Sequence, residues 1–384
     1  MAVRHRGVRT LVAVALLAPA SAAAQKVPVA QLKLADGKLA EEFTLIASVR
    51  ELSDGRILVS DEKEKRLVIA DLRSGAVAAI GRVGSGPGEY RGTARLWALS
   101  ADSTMMADQF GRRWLLLNGA EVALTLPSET PAIRATFGMV SGVDRNGHVL
   151  ALRPSLDPTG RPMNLEDSLL VVRVERASGR AETLARVPSP FAGGGRGEVA
   201  AARQGGAASE RRIYVVAISA YDQTTMFPDG WIAIARVSPY RVDWCAPNGT
   251  CTTGPTLPAT VIKMTNREKH AFLDLAAKTT RWPPTSAVEE VTGWPDAIPP
   301  FVVPPMRMDA SALVASPDGR LLIERMPSAD APPTRYDIVD RRGELVGQLS
   351  LLWNERIVGF GAKSVYVAVT DHDGIQRLRR HPWP

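Results

Sequence analysis

Cysteine is scarce in this chain. Its 384 residues include two, Cys245 and Cys251, too few to ligate zinc without histidines, and no histidine lies near them in sequence. Aromatic residues make up only 6%. No His-Glu-x-x-His or His-x-x-x-His pair occurs, no Gly-x-Ser-x-Gly elbow, no Gly-Lys-Ser/Thr after a glycine loop and no Asp-x-Asp-x-Asp-Gly calcium loop. Zincin, α/β-hydrolase, P-loop and EF-hand chemistry are therefore not indicated. No apolar run reaches the roughly 20 residues that cross a bilayer as a helix. What the chain does have is 45% hydrophobic residues, 23% charged residues, 32 glycines and 28 prolines without a Gly-X-Y period. That composition excludes disorder and collagen and favours a turn-rich all-β fold.

The first 24 residues read as a signal peptide: Arg4, Arg6 and Arg9, an apolar run from Leu11 to Ala18, then Ala22, Ala23 and Ala24 before Gln25. No cysteine follows to carry a lipid, so residues 25–384 are expected to form one exported domain, periplasmic or secreted. Removing three arginines lowers Lys+Arg from 47 to 44 against 40 acids, so the net charge drops from +7 to +4. So mild an excess argues against a nucleic-acid partner. Export also makes a disulfide the leading reading of Cys245 and Cys251, with Pro247, Asn248 and Gly249 as the turn between them.

One pattern repeats. Leu52-Ser-Asp-Gly-Arg-Ile-Leu-Val59, Val143-Asp-Arg-Asn-Gly-His-Val-Leu150, Met226-Phe-Pro-Asp-Gly-Trp-Ile-Ala233 and Ala315-Ser-Pro-Asp-Gly-Arg-Leu-Leu322 each set Asp-Gly or Asn-Gly between apolar runs. This is the hairpin signal, because such turns need φ > 0. The glycines stand at 55, 147, 230 and 319, spacings of 92, 83 and 89, and weaker copies centre on Ser103 and Lys363. A repeat near 44 residues is that of a four-stranded propeller blade, and the anchors count six. The two long gaps are read as insertions, about 189–211 and 264–305. The first is a patternless Gly-rich loop. The second is a helix opened by the capping box Thr265–Glu268 and running through Lys278, followed by a Pro-rich crossing. The last blade offers only three strands, near 355–360, 364–370 and 374–381. An N-terminal strand within Val27–Leu34 is expected to complete it and close the ring.

After the fourth strand of blade one comes Gly81-Arg-Val-Gly-Ser-Gly-Pro-Gly-Glu-Tyr90. This resembles the Gly-x-Gly-Pro-Gly-Glu signature of exported bacterial six-bladed propellers of the NHL-repeat type. Ser316–Arg320 and Tyr336–Leu345 resemble late blades of that group. The resemblance implies fold and compartment more than chemistry. The loop reads first as an inter-blade turn in which Glu89 accepts backbone hydrogen bonds, with Arg82, Glu89 and Tyr90 as a candidate binding face.

Three functions remain open, of which a purely structural cell-surface component ranks last. The favoured one is a ligand- or protein-binding module, a monomer with no cofactor, whose partner surface includes Trp282 and Trp294 in the Pro-rich insertion. Trp97, Trp231, Tyr240, Trp244 and Trp353 are expected mostly to wedge between blades. The alternative is a metal-dependent hydrolase or lyase. The architecture resembles gluconolactonase-type propellers, and that resemblance implies Ca2+ near the channel, held here by Glu51, Asp144, Asp222 and Asp309. His148, His270, His372 and His381 are read as packed or surface residues.

Overall fold

In the computed structural model the described residues are 27–93, 95–108, 110–127, 130, 139–154, 168–189, 196–200, 211–215, 220–280, 288, 294–301, 311–330 and 334–383. The segment read as a signal peptide lies outside them.

Six antiparallel sheets follow one another along the chain. Blade one is Ile46–Glu51, Ile57–Asp61, Arg66–Ala70 and Val77–Ala79, and blade two is Leu96–Ala98, Ser103–Asp108, Arg113–Asn118 and Glu121–Leu126. Blade three is Met139–Val143, His148–Pro154, Ser168–Glu175 and Ala181–Pro188, and blade four is Gln223–Met226, Ile232–Arg236, Arg241–Cys245 and Cys251–Thr252. Blade five is Leu313–Ala315, Leu321–Glu324, Thr334–Val339 and Leu345–Leu351. Blade six is Glu355–Phe360, Ser364–Thr370, Gln376–Pro382 and the N-terminal Gly37–Lys38. The first strand of each blade lies innermost, and the inner strands touch from blade six through blade one to blade five.

Strand periodicity explains the core. Successive side chains point to opposite faces of a sheet, so each strand supplies two blade interfaces. Ile57 and Val59 face blade six, whereas Leu58 between them faces blade two. Six apolar clusters result, one at each blade junction, and the helix Asn266–Thr280 joins the cluster between blades four and five. The repeated turns form as expected: Gly55, Gly147, Gly230 and Gly319 have φ of +85°, +84°, +88° and +83°. Without glycine, the corresponding turns of blades two and six bend at Ala101–Asp102 and Ala362–Lys363.

Ring closure differs in its residues. Gly37–Lys38 pairs antiparallel with Gln376–Pro382, and Phe43 exchanges backbone hydrogen bonds with Gln376 at 2.9 and 2.7 Å. Val29–Gln31, in the segment expected to close the ring, instead adds to blade five as a fifth strand, parallel to Leu345–Leu351. It covers that blade's outer edge and then crosses to blade six. The Gly-rich region also differs. Arg196–Ala200 and Arg211–Val215 pair as an antiparallel ribbon, where β-branched Val199, Ile213 and Val215 outweigh the glycines between.

This connectivity gives the molecule two unlike faces. One, the hairpin face, carries the turns between first and second and between third and fourth strands. The other, the connection face, carries the turns between second and third strands and every inter-blade segment.

Candidate functional site

The inner strands bring polar groups to the channel and pair them across blades. Leu96 N donates to Ser48 Oγ at 3.2 Å, and the hydroxyls of Ser141 and Thr224 lie 2.9 Å apart. Gln223 Oε1 accepts from Ala312 N at 2.7 Å and Ser311 Oγ at 3.0 Å. Arg95, entering blade two, reaches the Leu313 carbonyl of blade five at 3.4 Å, so a guanidinium bridges opposite sides of the ring.

The carboxylates named from the sequence as cation ligands do not share one end. Glu51 and Asp144 finish or follow inner strands at the hairpin face, whereas Asp222 precedes an inner strand at the connection face. Each is bonded within the protein. Glu51 accepts from Tyr366 Oη at 2.5 Å and Ala362 N at 3.1 Å. Burial and this carboxylate push the Tyr366 phenol far above its ordinary value. Buried Asp144 accepts from His148 N and pairs with His148 Nδ1, both at 2.8 Å. Asp222 accepts from Arg236 at 2.8 Å and Val237 N at 3.0 Å. Asp309 lies outside the described residues.

The Gly-rich loop closes on itself. Arg82–Val83 and Glu89–Tyr90 pair as a two-residue parallel ladder. Glu89 accepts from Gly86 N at 2.7 Å and Arg82 Nε at 2.6 Å, and these donors hold its carboxyl below the usual range. A Cβ on Gly84 would fall 2.1 Å from Glu89 Oε2. The glycines therefore cradle the protein's own carboxylate, in the place where an external phosphate would need to sit. Tyr90 is buried, accepting from Leu67 N and donating to Ile80 O, each at 3.0 Å. Arg113 grips the Gly84 and Ser85 carbonyls.

The aromatic residues divide. Trp244 is fully buried against Phe227, and Tyr240 donates to buried Asp337 at 2.8 Å. Trp97 and Trp231 pack against the core clusters. Trp353 departs from the wedge expectation: it is 63% exposed between blades five and six. Trp294 is half-buried, edge-on to Phe272 at 5.7 Å with Lys269 above its ring, and so ties the insertion to the helix. Trp282 lies outside the described residues. The capping box is half made: Glu268 N faces Thr265 Oγ1 at 3.4 Å, but the Glu268 carboxylate reaches Ala329 N at 2.6 Å and docks the helix on blade five.

Cys245 and Cys251 are disulfide-bonded across the last two strands of blade four, at directly opposed positions. His270 and His381 pair with backbone carbonyls. His372 belongs to a trio with Asp371 and Asp373 on the exposed second turn of blade six. Asp371 already accepts from Asp373 N, Ile375 N and Arg377. On the hairpin face a 390 Å³ cleft between blades four and five is lined by Asp229, Asp318, Arg320, Asp340 and Arg341. Its charges are paired, Arg341 with Asp229 and Arg320 with Asp318.

Sequence reasoning missed three features: Phe110, 70% exposed on the connection face, the cross-channel Arg95, and Arg50 at the hairpin-face mouth. Phe110 had a signal, an aromatic residue beside Gly111 just after a strand. The arginines had none, because their meaning depends on neighbours from other blades.

Together these observations define the chain as a six-bladed β-propeller. No family model matches its sequence, and no curated protein matches it either. Solved structures are similar to it. A member of the DUF4221 family from Bacteroides vulgatus is similar at TM-score 0.51 and 10% identity, covering 91% of this chain and 97% of that one. Regucalcin, a calcium-binding protein from Agrobacterium tumefaciens, reaches TM-score 0.39 at 12% identity over 93% of this chain and 97% of that one. Virginiamycin B lyase from Staphylococcus aureus reaches 0.37 at 9% identity, over 90% and 86%. Likeness at such identities extends to the fold alone.

Proposed function

We propose that this protein is an exported ligand- or protein-binding propeller that works through its connection face. One observation carries the reading. Among the described residues, the exposed large apolar side chains Val83, Phe110, Val261, Leu352 and Trp353 lie in inter-blade or second-to-third-strand segments. Val29, Leu34, Leu124 and Val346 lie on the N-terminal segment or outermost strands, and none of the described ones lies in a hairpin-face turn. Exposed aromatic and aliphatic groups gathered on one face are what a partner surface needs. Arg82 and Trp294 flank that face, while Glu89 and Tyr90 hold its shape. The N-terminal Arg-rich and apolar pattern together with the disulfide supports export to an oxidising compartment. The NHL-like motif is in keeping with that.

The metal-assisted hydrolase or lyase is the less supported reading. Its described carboxylates sit at two ends of the channel with internal partners, and converging oxygen ligands need to share one end. Thermal melts of the mature protein in Ca2+ and in chelator, with metal analysis, separate the two. A stoichiometric cation and a stabilisation lost in chelator would overturn the binding reading. Unchanged melts, with a ligand captured by wild type and lost from a Phe110→Ala/Trp353→Ala variant, would uphold it.

A further inference from the structure

The connection face of blades one and two carries a patch that is firmly held and unbalanced in charge. Asp108, fully buried at the end of the second strand of blade two, is its fixed point. It accepts from Arg91 N at 2.9 Å, Gly111 N at 2.9 Å and Arg113 Nε at 3.0 Å. Arg113 in turn donates to the Gly84 and Ser85 carbonyls at 2.8 and 3.0 Å. One buried ion pair thus joins the Gly-rich loop, the Arg91–Gly92 segment and the turn that carries Phe110. The Phe110 ring lies beside Gly92, where a Cβ would fall 2.6 Å from Cδ2, and Lys65 of blade one stands 5.9 Å from the ring centre.

Lys63, Lys65, Arg82, Arg91 and Arg112 are exposed in these segments, against Glu62, Glu64 and Glu89 at the surface. Of the five cations, Arg82 alone has a carboxylate partner among the described residues, and its side chain is still 82% exposed. Arginines elsewhere are better matched: on the third strand of blade six, Arg377, Arg379 and Arg380 each pair with an acid. Arg82 and Arg91 are also oriented. Each is held through Nε, by Glu89 at 2.6 Å and by Ser85 Oγ at 3.0 Å, which leaves their Nη groups without a partner among the described residues.

We propose that this patch docks an acidic peptide segment of a partner protein, with an apolar side chain against Phe110 and carboxylates on Lys65 and Arg91. An exposed ring with cations reaching it from two segments matches an apolar residue flanked by acids. Guanidinium forks held at Nε match planar carboxylates, and a platform fixed before binding loses little entropy on contact. A fluid lipid surface would need neither fixed forks nor a fixed platform. The site rests on the partner-binding reading and names the chemistry of that partner.

Panning a random displayed-peptide library on the immobilised mature protein tests it, followed by fluorescence anisotropy with the recovered peptide made synthetically. Recovered sequences are expected to set aspartate or glutamate beside an aliphatic or aromatic residue, and to bind more weakly as salt rises. Lys65→Gln/Arg91→Gln should weaken the peptide about tenfold, and Phe110→Ala about tenfold or more, at unchanged melting temperature. Arg73→Gln, an exposed arginine of the hairpin face, should bind like wild type. Peptides without acids whose binding still drops in Phe110→Ala would overturn the acidic partner and leave the connection face as a binding surface. Peptides indifferent to every patch substitution, or no recovered peptide, would overturn both. Co-sedimentation with mixed phosphatidylserine and phosphatidylcholine vesicles that is lost in Lys65→Gln/Arg91→Gln, without acidic peptides, would overturn the peptide in favour of a lipid surface.

Discussion

The two faces of the ring are built from the same strands and differ in everything between them. On the hairpin face the connections are short and self-satisfied. Asp54 accepts from Arg56, Asp71 from Arg73, and Asp102 from Ser53, and the glycines take the positive φ each turn requires. On the connection face several inter-blade segments are long and carry a ladder, a ribbon and a helix, while Phe110 and Trp353 stand in water on short connections. The difference separates what folds the ring from what is displayed on it. Short turns are fixed by local chemistry, whereas long connections are free to vary because the blade interfaces hold without them.

The largest effect should come from the junction that the chain makes last. Phe43 is 2% exposed, sits in the cluster between blades six and one, and bridges Gln376 through its backbone. Phe43→Ala should cost about 3–5 kcal/mol by denaturant titration, the range for emptying a buried aromatic site. A loss below about 1 kcal/mol would mean the N-terminal closure adds little, and the ring is held by its other five junctions.

Acid should then act on the hairpin-face turns before the helix. Asp54 and Asp71 are held below the ordinary carboxyl range first by the backbone N–H of Arg56 and Arg73, and Asp102 by that of Ser53. A folded-state pKa below the unfolded one favours folding wherever the carboxyl is ionised in both states. That contribution is intact above the unfolded value, about pH 4, and is lost as pH falls through the depressed folded values. Melting temperature should therefore hold between pH 7 and about 5 and drop below about 4. Hydrogen exchange should show the Leu52–Arg56 and Asp71–Ala76 turns losing protection before the helix. Loss that begins in the helix would erase the contrast between faces.

The same division governed what could be read from the amino-acid order. Turns on the hairpin face announce themselves, since Asp-Gly or Asn-Gly between apolar runs has few other uses, and four such anchors with two weaker copies gave the blade count. The Cys245–Cys251 bond was legible in the short turn that separates the two cysteines. Closure was harder. Val27–Leu34 has the stronger strand pattern, yet Gly37–Lys38 takes the place beside blade six. A two-residue edge is chosen by where the chain lies in space, and its sequence carries almost no periodic signal. The placing of Glu51 and Asp222 at opposite ends was invisible for the same reason. Convergence between blades belongs to the ring and not to any one segment.

The smallest expected effect is the one that bears most directly on function. If Phe110 and Trp353 serve the fold, their exposure is incidental and truncation should destabilise. If they serve a partner, the unbound protein should not register their loss. Phe110 lies beside Gly92 with Lys65 5.9 Å above its ring, and Trp353 stacks on no aromatic residue among those described. Phe110→Ala and Trp353→Ala should each shift stability by no more than about 0.5 kcal/mol in denaturant titration, as surface changes do. A loss of about 2 kcal/mol from either would make that side chain a strut of the connection face. Near-neutral changes would leave the aromatics without a structural reason to be exposed, and a bound partner supplies one.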